Sequence, residues 1–255
     1  MTVDQAAIPG VSRSDWRSGP DLSGIRAVIL AGGLGTRLRP YTTIIPKPLV
    51  PVGERPIVQH IMEQLYLAGV TQIGLCVNYL GGLIQAYLEQ ARLPEGLRLN
   101  WHWEDEPSGT AGALRSVPDL DDTFIAMNGD VLTGLDYREL VDFHFARGAA
   151  LTIATHRKSV RIDLGVVDVA DNYVTAYHEK PTLEYDVSMG IYVYEPRALK
   201  YLPRGACQFP ELVERLLHAG EKVATFRSSA AWYDIGTPQE YERAVNDVAL
   251  VAGSR

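Results

Sequence analysis

The residues of this chain with the clearest chemistry are three glycines, an arginine and a lysine. They lie in Ala27-Val28-Ile29-Leu30-Ala31-Gly32-Gly33-Leu34-Gly35-Thr36-Arg37-Leu38-Arg39-Pro40 and, just behind it, in Pro46-Lys47-Pro48. Glycine tolerates positive φ and lets a ligand approach the main chain closely. Successive N–H groups in such a turn form a concave anion site. Arg37 adds a planar fork of donors and Lys47 a compact point charge. Together they suggest a triphosphate site. Two common phosphate fingerprints do not fit. No Lys follows the last glycine, as a Walker loop requires, and Leu38 stands where the dinucleotide fingerprint needs its third glycine.

Three further stretches carry acids or cations at the ends of apolar runs: Asn128-Gly129-Asp130, Glu179-Lys180-Pro181 and Trp232-Tyr233-Asp234-Ile235-Gly236-Thr237-Pro238. Each has a plain reading by itself. Asp130 would form a turn, Glu179 and Lys180 would be a solvated pair, and Asp234 would cap the helix that Pro238 begins. No Ser-His-Asp or Cys-His arrangement stands out.

G-G-x-G-T-R-L-x-P followed by P-K-P resembles the signature of the sugar-1-phosphate nucleotidylyltransferases, or nucleotide-sugar pyrophosphorylases. Short mannose-1-phosphate guanylyltransferase-like members are the nearest in pattern. The similarity runs from about Ile25 to about Asn246. It implies a Rossmann-like nucleotide-diphospho-sugar transferase fold, an α/β architecture with a mostly parallel mixed sheet flanked by helices. The implied reaction joins an NTP and a sugar-1-phosphate or cyclitol phosphate to give NDP-sugar and pyrophosphate, with Mg²⁺ as cofactor. An acceptor phosphate is already anionic, so such a reaction needs positioning and positive charge more than a covalent nucleophile.

The resemblance also distributes roles. Leu30, Ala31, Gly32, Gly33, Gly35, Thr36 and Arg37 would hold the nucleotide, with Arg37, Lys47 and Asp130 catalytic. Asp130 and Asp234 would bind Mg²⁺, which favours one or two carboxylates plus substrate phosphates. Gly129, Gly165, Glu179, Lys180 and Gly190 would serve the sugar phosphate. P-x-G-T-A-G, with Gly109 and Thr110, is similar to the family's base-binding loop. Guanine shows two donors on one edge, which a carboxylate accepts well, so Glu106, or in second place Glu104, would read guanine and favour GTP. An amide there would suit uracil or thymine better. Relatives often carry Asn or Thr before Gly190; here Ser188-Met189 leaves the sugar open, and Met189 would make its pocket less polar. A uridylyl- or thymidylyltransferase, or an inactive nucleotide-sugar-binding regulatory module, are the rival readings.

Positioning such residues takes a sheet. Ile25 to Leu30 reads as a buried strand, as do Thr71 to Val77 and Thr123 to Met127. Arg98 to Glu104, Leu151 to Thr155, Val187 to Val193 and Lys222 to Phe226 add strands. Asp171-Asn172 would turn a hairpin. Helices are expected from Ile57 to Ala68, Leu83 to Ala91, Asp136 to Arg147 and Phe209 to Ala219, with another opening at Ala111. Strand–helix alternation argues for a parallel sheet, with ligands at the carboxyl ends of its strands. His144 reads as a helix residue and not a catalyst.

The chain of 255 residues carries a net charge of −7, which disfavours nucleic acid as a partner. Its two cysteines show no metal or redox spacing and suggest a cytoplasmic setting. No apolar run is long enough for a membrane span. Residues 1–24 read as a flexible leader and 25–255 as a single catalytic domain, with a nucleotide half near 25–135 and a sugar-phosphate half near 136–246. The C-terminal left-handed β-helix of longer relatives is not expected, and self-association is, since relatives often form homo-oligomers.

Overall fold

The computed structural model describes residues 22–252. In chain order the strands are β1 (Arg26–Leu30), β2 (Pro51–Val52), β3 (Arg55–Pro56), β4 (Gln72–Val77), β5 (Arg98–Trp103), β6 (Phe124–Asn128), β7 (Val131–Thr133), β8 (Leu151–Arg161), β9 (Val166–Ala170), β10 (Tyr173–His178), β11 (Thr182–Tyr194), β12 (Val223–Ser228) and β13 (Trp232–Asp234). The helices are α1 (Ile57–Leu67), α2 (Gly81–Gln90), α3 (Tyr137–Arg147), α4 (Phe209–His218) and α5 (Pro238–Ala252).

Seven strands form one sheet in the order β12-β8-β11-β6-β1-β4-β5. β1 runs parallel to both β4 and β6, and β4 parallel to β5. β11 alone runs against its neighbours, β6 and β8. The expected mixed, mostly parallel α/β sheet is therefore what forms. β1 is central, and its side chains alternate between two cores. Ala27 and Ile29 join one with Ile61, Met62, Ile125 and Met127. Val28 joins the other with Ala126, Phe124, Tyr194 and Leu212. A strand buried on both faces reads as a continuous apolar run.

The ends of the elements follow local chemistry. Asp136 opens α3 by accepting from the Arg138 and Glu139 amides at 2.8 and 3.4 Å, and Gly148 at φ 56° ends it. Asp171 and Asn172, at φ 48° and 68°, make the hairpin turn that two-residue loops favour.

Three expectations change. The segment after Gly109 forms only a 3₁₀ turn, Gly112–Ser116, because its carbonyls and amides are taken up elsewhere, as described below. β8 and β11 extend well beyond the apolar cores of the strands read from sequence. Their outer halves pair with each other while staying exposed on both faces, so no apolar periodicity marks them. Met189 points into the core with no exposure and so does not line a sugar pocket; Ser188, its neighbour, takes the opposite face. Of the leader, residues 1–21 lie outside the described residues, whereas Leu22 is already packed in the core at 1% exposure.

Candidate active site

β1 delivers the glycine turn to the carboxyl edge of the sheet. Ala31 N donates to Cys76 O at 2.8 Å and Gly129 N to Leu30 O at 2.9 Å, so the strand ends of β1, β4 and β6 are tied side by side. Gly35 takes the left-handed conformation at φ 58°. A Cβ there would press within 3.2 Å of Lys47 Cβ and the Thr42 side chain. The turn and the lysine segment therefore touch, which only glycine allows at that φ.

A cleft of about 360 Å³ opens at this edge. It is lined by Leu30, Ala31, Gly33, Gly35, Thr36, Arg37, Lys47, Gly129 and Asp130, all singled out from sequence, and also by Leu34, Pro48 and Gly236. The Lys47 ammonium, 8% exposed as a residue, sits directly on Asp130 Oδ2. The other carboxylate oxygen, Asp130 Oδ1, is buried without a hydrogen-bond partner among the described residues.

Asp234 arrives by a strand pairing that no motif announces. β13 runs antiparallel to β7, with Asp234 opposite Val131. Ile235 N then donates to Asp130 O at 3.0 Å. Two acids about a hundred positions apart thus share one edge. Burial raises the Asp234 carboxyl above the ordinary carboxylate range, and the Asp130 charge pushes it the same way, against Lys47 and Arg37. Gly236 leaves room for the arginine: a Cβ there would lie 3.1 Å from Arg37 Nη2 and 3.3 Å from Asp234 Oδ1. Its signal was present in the W-x-D-x-G-T stretch but was credited only to Asp234.

The candidate base loop follows β5. Glu104 still continues the strand, donating its N–H to Val77 O at 3.1 Å, while Asn78 Nδ2 donates to Glu104 O at 2.8 Å. Its carboxylate leans over the glycine turn: a Cβ on Gly32 would come within 3.1 Å of Glu104 Oε2. Glu106, ranked first from sequence, lies in the bend that follows Glu104 and is exposed. Gly109 at φ 82° packs on Cys207, whose carbonyl accepts from Ala111 N and Gly112 N at 3.1 and 3.0 Å. Thr110 Oγ1 accepts from Phe209 N at 2.9 Å and so caps α4.

The sugar-side candidates are more scattered. Gly190, at φ 73°, is buried against Asn128 at the end of β6, beside Gly129; a Cβ would meet Asn128 Nδ2 at 2.7 Å. Gly165, Glu179 and Lys180 do not line the cleft. The space beside Gly165 holds the Tyr177 ring, so the glycine there admits a side chain of this same chain. Tyr177 Oη donates to Glu179 Oε2 at 3.1 Å, and Lys180 is exposed at φ 46°. His144 is a buried structural residue bonded to Thr152 and Glu195. Burial pushes the Cys76 thiol up to about 12, which makes it inert.

A Rossmann-like sheet with an anion-binding cleft at the carboxyl ends of its parallel strands, two cations facing two acids, defines a nucleotide-binding α/β protein. The chain belongs to the nucleotidyl transferase family, whose model matches residues 26–250. It is 34% identical over 232 residues to the mannose-1-phosphate guanyltransferase of Candida albicans, covering 85% of this chain and 62% of that protein. It is 32% identical over 252 residues to the UTP–glucose-1-phosphate uridylyltransferase of Synechocystis sp., covering 88% and 63%. The chain thus spans less than two thirds of the length of these curated relatives. Among solved structures it resembles HddC from Yersinia pseudotuberculosis, with a TM-score of 0.69, 28% identity and coverage of 87% of this chain and 98% of that one. The same protein complexed with GMP-PN gives a TM-score of 0.67 at 27% identity, again covering 87% and 98%. Among the described residues no helix is long and apolar enough to cross a membrane.

Proposed function

We propose that this chain transfers a nucleotidyl group from an NTP, GTP favoured, to a sugar-1-phosphate or sugar-like cyclitol phosphate, releasing pyrophosphate. The observation that carries this reading is the meeting of Arg37, Lys47, Asp130 and Asp234 at the mouth of the glycine turn. The main-chain N–H groups of Gly32, Gly33 and Gly35 would line the triphosphate. Arg37 would neutralise the leaving pyrophosphate, and Lys47 would turn from Asp130 to the charge that develops at the α-phosphorus. Held in line, the acceptor phosphate oxygen attacks without a general base.

The two acids suit a magnesium ion. Asp130 Oδ1 is a buried oxygen that lacks a partner among the described residues, and Asp234 supplies a second, desolvated carboxylate at the same edge. No larger group of His, Cys, Asp or Glu is placed to hold a metal among the described residues. Two carboxylates completed by substrate phosphates are what Mg²⁺ uses. Bound there, the ion would draw negative charge from the reacting phosphates.

Glu104, not Glu106, is the better candidate to read guanine, because its carboxylate lies at the glycine turn. The Candida albicans relative and the GMP-PN complex of HddC support a guanine nucleotide; the Synechocystis relative supports the uridylyl alternative. Gly190 fits an acceptor site next to Gly129, and Glu179 and Lys180 are proposed to meet the sugar phosphate from the hairpin side. A nucleotide half near 25–135, an acceptor half near 136–246, a cytoplasmic setting and self-association belong to the same proposal.

The test is pyrophosphate release across several NTPs and a panel of sugar-1-phosphates with Mg²⁺. Turnover with GTP and one acceptor is expected. No release with any pair, from protein that binds GTP, would leave a binding module in place of an enzyme.

A further inference from the structure

We infer that Ser108 is a positioning residue for nucleobase choice, acting through Glu104; this rests on the proposed base-reading role of Glu104. A carboxylate at the end of a strand has several rotamers, and most of them point to water. Here one oxygen is fixed from below. Ser108 donates to Glu104 Oε1 twice, from its hydroxyl and, at 3.3 Å, from its backbone N–H. The clamp leaves Oε2 turned toward Gly32, where an added Cβ would come within 3.1 Å of it. The carboxylate therefore offers an acceptor at the glycine turn, a position from which it could meet the N–H donors of guanine and would repel the O4 carbonyl of uracil or thymine.

The clamp is itself anchored from the other half of the chain. Cys207 N donates to Ser108 O at 2.8 Å, and Cys207 O receives Ala111 N and Gly112 N. Arg115 reaches Pro203 O and Gly205 O at 2.7 and 2.6 Å. Ser108 is thus held by main-chain bonds that its own side chain does not make. Removing its hydroxyl takes away one donor to Glu104 and leaves the loop tied down.

Binding of GTP and UTP to the nucleotide-free chain, measured by titration calorimetry without acceptor, tests this. Both ligands engage the glycine turn through their triphosphates, so the ratio of their affinities reports the base alone. Ser108→Ala is expected to weaken GTP by about tenfold or more, the lower end of the net worth of one hydrogen bond to a charged group. UTP should bind as well as before or more tightly, because the repulsion of its O4 relaxes, and the melting temperature should be kept, while Ser108→Thr restores the wild-type ratio. A Ser108→Ala protein that loses GTP and UTP affinity equally, or keeps the wild-type ratio, overturns the proposal. Glu104→Gln separates the two claims. If it too leaves the ratio untouched, the base-reading role of Glu104 is what fails; if it collapses the ratio and Ser108→Ala does not, only the clamp fails.

Discussion

The proposed donor side and the proposed acceptor side of this molecule are built differently. The supports of the glycine turn are packed or tied, although Gly33, Leu34, Thr36 and Arg37 of the turn itself are exposed: β1 is buried on both faces, Lys47 sits on Asp130, and the proposed base loop is pinned to Cys207. Across the sheet, among the described residues, the outer halves of β8 and β11 pair only with each other, and the β9–β10 hairpin pairs with no other strand. Its residues Val167, Val169, Val174 and Tyr177, which share a face, are all exposed. A preformed site binds its ligand without first ordering it, whereas an exposed one adds that ordering cost on binding. In the proposed reaction this difference would give nucleotide recognition a fixed geometry and acceptor recognition a looser frame.

The comparison breaks first at its catalytic end. Asp130→Asn removes the charge facing Lys47 and the partnerless oxygen beside it; kcat should fall by about 10²–10³-fold, the cost of one well-placed electrostatic group. Circular dichroism should show the fold intact. Near-normal turnover would mean that the packed edge is structural. A smaller but still large effect is expected at Gly109, where φ is 82° and a Cβ would collide with the Cys207 carbonyl. Gly109→Ala should cost about 1–3 kcal/mol, the strain of a non-glycine residue forced into that region, read by chemical denaturation together with weaker GTP binding. A neutral result would show that the base loop is free to shift, and the contrast with the acceptor side would lose its ground.

These expectations also mark what was legible in the chain. The buried strand, the glycine turn and its two cations could be read because a doubly buried strand needs a continuous apolar run and a phosphate turn needs glycine. The choice between Glu104 and Glu106 could not. It depends on where β5 stops pairing, and Glu104 keeps a strand bond to Val77 while Glu106 falls in the bend that follows. The nearness of Asp234 to Asp130 was read from motifs alone, since the β7–β13 pairing that creates it is only three residues long. Met189 was misjudged by one position of strand parity. The outer halves of β8 and β11 carry charges such as Arg157, Glu184 and Asp186, which pair across the strands where no core exists to leave a pattern.

On the acceptor side effects should be smaller and confined to one substrate. Lys180→Ala is expected to raise the KM for the sugar phosphate by about tenfold while leaving the KM for GTP unchanged, the sign of lost ground-state binding. An equal rise in both would tie the hairpin to the donor site instead.

The smallest effect sharpens the contrast most. Val174 is 63% exposed on a hairpin that pairs with no other strand among the described residues. Val174→Thr keeps a β-branched side chain, so strand propensity is retained while an apolar surface is made polar. Stability should change by less than about 0.5 kcal/mol, as for substitutions away from packed features. The parallel change at Val28, with no exposure in β1, puts a hydroxyl into a core that has no partner for it. That should cost about 1–3 kcal/mol. Equal costs at the two valines would mean that something covers the hairpin in solution, most simply a second copy of the chain, and that the acceptor side is less open than it stands here.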